Sequence, residues 1–150
     1  MEYVVGASLA GATGLLACLT GFDRDRTFYP VVLIVVVSYY CLFAILSQSP
    51  AALWHEAGIA ALYAAAAVIG FRGKAWVVVA GLAGHGAMDL VHDLLVSNPG
   101  VPSYWPGFCA AFDGVAALYL AGVMKVRRVA PERSIEMPAV QDQTVRGEVR

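Results

Sequence analysis

Charge is what this chain has least of. Asp, Glu, Lys and Arg make up only 14% of its 150 residues, where a soluble domain carries about 25%. The hydrophobic set accounts for 59%, and the mean hydropathy is +0.68. A soluble globular domain is thereby excluded, and an all-α, polytopic membrane bundle is expected. The net charge of −1 supplies no basic surplus, which argues against a nucleic-acid partner. Cysteine is scarce too: Cys18, Cys41 and Cys109 are odd in number and scattered through apolar segments, which excludes a disulfide framework. The basic residues of a secretory leader are missing from Met1-Glu2-Tyr3, so the first apolar stretch is expected to be a retained span. No lipidation motif or internal repeat is evident.

What the chain does have is five apolar stretches, at residues 3–22, 30–47, 52–71, 75–96 and 106–125. At about 1.5 Å per residue each is long enough for a hydrocarbon core of about 30 Å. Pro30 and Pro106 stand where first helical turns are expected, while Pro50, Pro99 and Pro102 fall in connections. Arg24, Arg26, Arg72 and Lys74 lie in the first and third loops, and the remaining cations from Lys125 onward. None lies in the second or fourth loop, so the positive-inside rule predicts an outside N-terminus and a cytoplasmic C-terminus. Trp54, Tyr104 and Trp105 then mark the outer interface, with Phe71 and Trp76 at the inner one. Residues 1–128 form the expected membrane domain and 129–150 an expected disordered cytoplasmic tail. A cell membrane, plasma or bacterial inner, is the expected location.

Against this apolar background the segment HGAMDLVHD, residues 85–93, is anomalous. At about 100° per residue, His85, Asp89, His92 and Asp93 share one helix face. Glu56 on the third span and Asp113 on the fifth add carboxylates, with no lysine or arginine beside them. The expected topology places Asp93, His92, Glu56 and His55 about 5–6 Å below the outer surface, Asp89 and Asp113 about 10 Å and His85 about 16 Å. Cys109 lies one turn above Asp113. Ionisable groups at such depth are expensive and functional by default.

Unpaired carboxylates grouped at low dielectric must be protonated, paired with histidine, or bound to a metal. Carboxylate plus imidazole is a ligand set for zinc, iron or manganese, and bundles present such ligands from facing helices. His85, Asp89, His92 and Asp113 are the expected ligands of a divalent metal, zinc first. Glu56 and Asp93 are the expected acid–base residues, acting on a membrane lipid or another hydrophobic small molecule.

Three rivals remain. A proton or divalent-metal transporter would use the same groups, but the inner halves of spans three and four are apolar, so its path would have to form between subunits of a homo-oligomer. A metal-free isomerase or cyclase of a terpenoid or sterol-like substrate would use protonated carboxylates and tyrosines. Haem held by two histidines would find a poor wall in the carboxylates.

The fourth loop and fifth span, NPGVPSYWPGFCAAFD, taken with HGAMDLVHD, resemble a group of small bacterial integral-membrane proteins. Those carry an H-x3-D-x2-H helix, an N-P-G-V-P-type loop and a helix with C-x3-D; the similarity covers residues 81–122 and implies no particular activity. A looser similarity is to the membrane hydrolases that include alkaline ceramidases and adiponectin-type receptors. It implies an intramembrane zinc site and transfers no individual residue, since those proteins have more spans and a different motif order.

Other features carry less. Gly6, Ala10 and Gly14, and the run from Ala64 to Ala67, are expected to serve helix packing. The loop Asp23-Arg24-Asp25-Arg26 is expected to be a solvated, self-paired turn rather than a phosphate site. Tyr39, Tyr40 and Cys41 either line the cavity or pack, and Cys109 is either an extra ligand or a small apolar residue.

Overall fold

The computed structural model describes the backbone of residues 1–129 and the side chains of residues 1–126. It is helical, with no strand among the described residues. Within the described residues six helices follow in order: α1 Glu2–Thr20, α2 Phe28–Leu46, α3 Pro50–Phe71, α4 Trp76–Asp89, α5 His92–Leu95 and α6 Trp105–Val129, with a 3-10 turn at Phe22–Arg24. The tail expected over 129–150 lies, apart from Val129, outside the described residues.

Local chemistry explains the boundaries. Gly21 closes α1 in the left-handed region at φ 80°, where glycine has no Cβ to clash. The Asp25 carboxylate accepts the Thr27 N–H at 2.8 Å just ahead of α2, and that bond holds its carboxyl below the usual aspartate range. Ser49 caps α3, with Pro50 in the first helical turn; such a cap contributes about 1 kcal/mol.

Among the described residues four helices, α1, α2, α3 and α6, are long and apolar enough to cross a membrane. The segment expected as one helix over 75–96 is not continuous. α4 stops at Asp89 after 14 residues, about 21 Å of rise, and α5 has four residues. Between them Val91 takes φ −120° and ψ 9°, and its N–H reaches back only three residues, to the Met88 carbonyl at 3.0 Å. The break turns His92 toward α3, while Asp89 stays against α2 (below). Side-chain bonds from Asp89 and His92 to neighbouring helices flank the break, while Leu90 and Val91 between them are exposed.

α1 packs on α6, α2 on α3, and α4 on both α3 and α6. The stripe Gly6, Ala10, Gly14 and Ala17 is the buried face of α1. A Cβ on Gly6 would strike the Phe108 carbonyl oxygen of α6, so this crossing requires glycine. The run Ala64–Ala67 contributes only Ala67 to the fully buried set.

Each site-bearing helix changes character along its buried stripe. α4 buries Val78 and Leu82, then His85 and Asp89; α2 buries Leu33, Val36 and Val37, then Tyr40. An apolar core of Leu33, Val37, Ala67, Val78, Leu82 and Leu120 therefore fills one half. The polar residues gather at the end carrying the α2–α3 and α5–α6 connections.

Candidate functional site

Five ionisable residues are almost wholly buried there: Glu56, His85, Asp89, His92 and Asp113, each at 2% exposure or less. They form two pairs of imidazole with carboxylate, the first with Asp89 as a second carboxylate, and one tyrosine joins them. In the first pair His85 Nδ1 lies 2.6 Å from Asp113 Oδ2 and 3.5 Å from Asp89 Oδ2. The spacing of four residues puts His85 and Asp89 on one face of α4, and α6 brings Asp113 against them. The close approach depends on Gly86, where a Cβ would stand 3.1 Å from the Ala110 carbonyl and 3.2 Å from Asp113 Cβ.

In the second pair His92 Nε2 lies 2.9 Å from Glu56 Oε1. The Asn98 side-chain amide donates to the same oxygen at 2.9 Å and to the Tyr40 carbonyl at 3.1 Å. Tyr40 donates its hydroxyl to Asp89 Oδ1 at 2.7 Å. Its ring stacks on His92 at a centroid distance of 4.2 Å and meets His85 edge-on at 5.9 Å. Tyr63 meets the His85 ring at 5.1 Å and 90°.

Donor atoms of His85, Asp89 and Asp113 lie within 4.8 Å of one another, so this group could hold a metal ion. His85 Nε2, Asp89 Oδ2 and Asp113 Oδ1 are buried without a hydrogen-bond partner. Such orphaned polar atoms cost about 1–3 kcal/mol each, and a ligand removes that cost.

His92, expected as a fourth ligand beside those three residues, is set against Glu56 instead. The break at Leu90–Val91 is the reason, because it ends the helical register that would have kept His92 above Asp89. Asp93, expected in an acid–base role, is 84% exposed, with its carboxylate 3.6 Å from His92 Nδ1. His55 is exposed and bonds only the Ala51 carbonyl at 2.8 Å. Tyr39 packs on Trp105, whereas Tyr40 is the centre's link.

Asn98 and Tyr63 were missed. Asn98 sits in a loop whose composition announces only a turn, and Tyr63 has no polar partner in sequence. A signal for Tyr63 existed, since it lies seven residues after Glu56, two turns along one face of α3.

Cys109 is buried on α6, within electrostatic reach of Asp89 and Asp113. It does not belong to the three-donor group. It lines an apolar groove of about 320 Å³ between α1, α2 and α6, with Leu9, Val32, Val35, Phe108 and Phe112.

Fold and centre define a helical bundle of membrane-protein character with a buried His–carboxylate cluster that could hold a metal ion. No family model matches the chain, nor does any curated protein or solved structure.

Proposed function

We propose that this is an integral protein of the cell membrane whose buried centre holds a divalent metal and acts on a lipid or other hydrophobic molecule. The observation that carries the reading is the buried trio His85, Asp89 and Asp113, whose donor atoms lie within 4.8 Å of one another. Two carboxylates and a neutral imidazole balance a dication, which answers the burial cost of the acids. Three protein ligands with an open fourth position match a catalytic zinc site, so zinc is favoured over iron or manganese. Tetrahedral ligands at about 2.1 Å stand about 3.4 Å apart, so the 2.6 Å contact between His85 and Asp113 would open by a side-chain adjustment.

The ion would supply Lewis acidity and water activation. The chain's own residues would do the rest. Tyr40 holds Asp89 Oδ1 and leaves Oδ2 free for the centre. The Glu56–His92 pair is the acid–base partner across Tyr40. The groove, of the size that accepts small ligands, would seat an apolar chain alongside Cys109. In this reading α4, the turn and α5 together make the fourth of five crossings, with the N-terminus outside and the C-terminus cytoplasmic.

The test is metal content of the purified protein beside His85→Ala and Asp89→Asn. Near-stoichiometric zinc, iron or manganese in the wild type and its loss in both variants is expected. A second reading, a metal-free acid–base isomerase or cyclase, is favoured by the short His85–Asp113 and His92–Glu56 bonds. A folded wild type free of metal that converts a hydrophobic substrate would establish it in place of the first. A transporter finds less support, since the core of Leu33, Val78, Leu82 and Leu120 offers no polar continuation through the bundle.

A further inference from the structure

The polar atom that the proposed centre leaves unused is Nδ1 of His92. Glu56 Oε1 accepts the Asn98 amide, so it is an acceptor, and His92 donates to it from Nε2. Whenever the ring is neutral with its proton on Nε2, Nδ1 keeps a lone pair that a cation can take. That atom has no hydrogen-bond partner, although His92 is only 1% exposed. The group facing it is the Asp93 carboxylate, 3.6 Å away and itself 84% exposed.

An imidazole whose second nitrogen donates to a carboxylate is how proteins orient a metal-binding histidine. Two donors sharing one ion at about 2.1 Å stand about 3.4 Å apart at a tetrahedral angle, within a few tenths of the observed spacing. His92 and Asp93 therefore offer one buried and one exposed donor, already oriented, with solvent completing the shell.

We propose that His92 and Asp93 form a second, outer cation position, a port through which a divalent ion is loaded into the His85–Asp89–Asp113 centre. The inference rests on the metal reading above. Two protein donors hold an ion weakly, which suits transfer rather than storage. Only Leu90 and Val91 separate His92 from Asp89, and Tyr40 touches both, with its ring on His92 and its hydroxyl on Asp89. The groove that reaches Cys109 is apolar, and a hydrated ion would lose its water there without replacement. The polar groups in line past Asp93 are His92, the Tyr40 hydroxyl and Asp89.

The test uses the full-length protein in detergent and Co2+ as the probe, with the visible absorbance of the bound ion followed after rapid mixing. The inner centre is identified by the signal that His85→Ala abolishes. Asp93→Asn is expected to slow uptake about tenfold, and Asp93→Lys further, as loss or reversal of a steering charge does. Kd is expected to stay unchanged, so release to a chelator slows by the same factor. Equal uptake by wild type and both variants overturns the port. So does a weakened Kd at an unchanged uptake rate, which would make Asp93 a holder of the ion and not its entrance. A wild type with no cobalt signal overturns the metal reading and the port together, whereas a wild-type signal that the variants leave unaltered overturns the port alone.

Discussion

Tyr40 carries the least replaceable atom in the polar cluster, because its hydroxyl settles which oxygen of Asp89 remains free. Tyr40→Phe keeps the ring and its stacking on His92 but leaves a buried Asp89 oxygen without a donor. A loss of about 1–3 kcal/mol is expected in the stability of the metal-free protein, read by thermal unfolding in detergent. Metal affinity is expected to fall about 10–100-fold, as it does when a ligand's orienting partner is removed. Stability loss at unchanged affinity would reduce Tyr40 to a packing residue. His55→Ala, at an exposed position bonded only to its own helix, is expected to alter neither quantity.

At the scale of elements, the bundle is tuned by where its helices can touch. α1 contains its own control. Gly6 faces the Phe108 carbonyl of α6 so closely that a Cβ has no room, whereas Gly11, five residues on, has nothing within 4 Å. Gly6→Ala is therefore expected to destabilise by about 1–3 kcal/mol, the usual cost of overpacking. Gly11→Ala is expected to stabilise slightly, by up to about 1 kcal/mol, through helix propensity. Equal unfolding temperatures for the two variants would contradict the close α1–α6 crossing. The break between α4 and α5 belongs to the same scale: hydrophobic length announced a crossing, but bonds from His92 to Glu56 and from Asp89 to Tyr40 set the backbone between them.

The molecule as a whole offers lipid an apolar surface, with Leu19, Trp54, Leu62 and Leu118 each at least 69% exposed, while its buried acids gather at one end. A reporter fused after Arg128 is expected to be cytoplasmic, and one inserted at Ser97 to report from the outer side. Exchange of the two signals would invert every depth assigned from the cation distribution. It would leave the geometry of the centre untouched, since the contacts among Tyr40, Glu56, His85, Asp89 and Asp113 do not depend on orientation.

Much of this was legible in the residues themselves. Length and apolar composition determined the all-helical fold and four of the five expected spans, α1, α2, α3 and α6, because a helix satisfies its own backbone and needs only a run of suitable side chains. The four-residue spacing of His85 and Asp89 determined that they share a face, and the carboxylate on the last long helix was a natural third member. Contacts between elements remote in sequence could not be read this way. That Tyr40 and not Tyr39 turns inward, that Asn98 leaves its loop to bond Glu56, and that His92 abandons Asp89 for α3 depend on how far each helix slides and rotates against its neighbours. Tertiary structure alone decided those, because a hydrogen bond between helices forms or fails within a few tenths of an ångström, a tolerance finer than any spacing along the chain can specify.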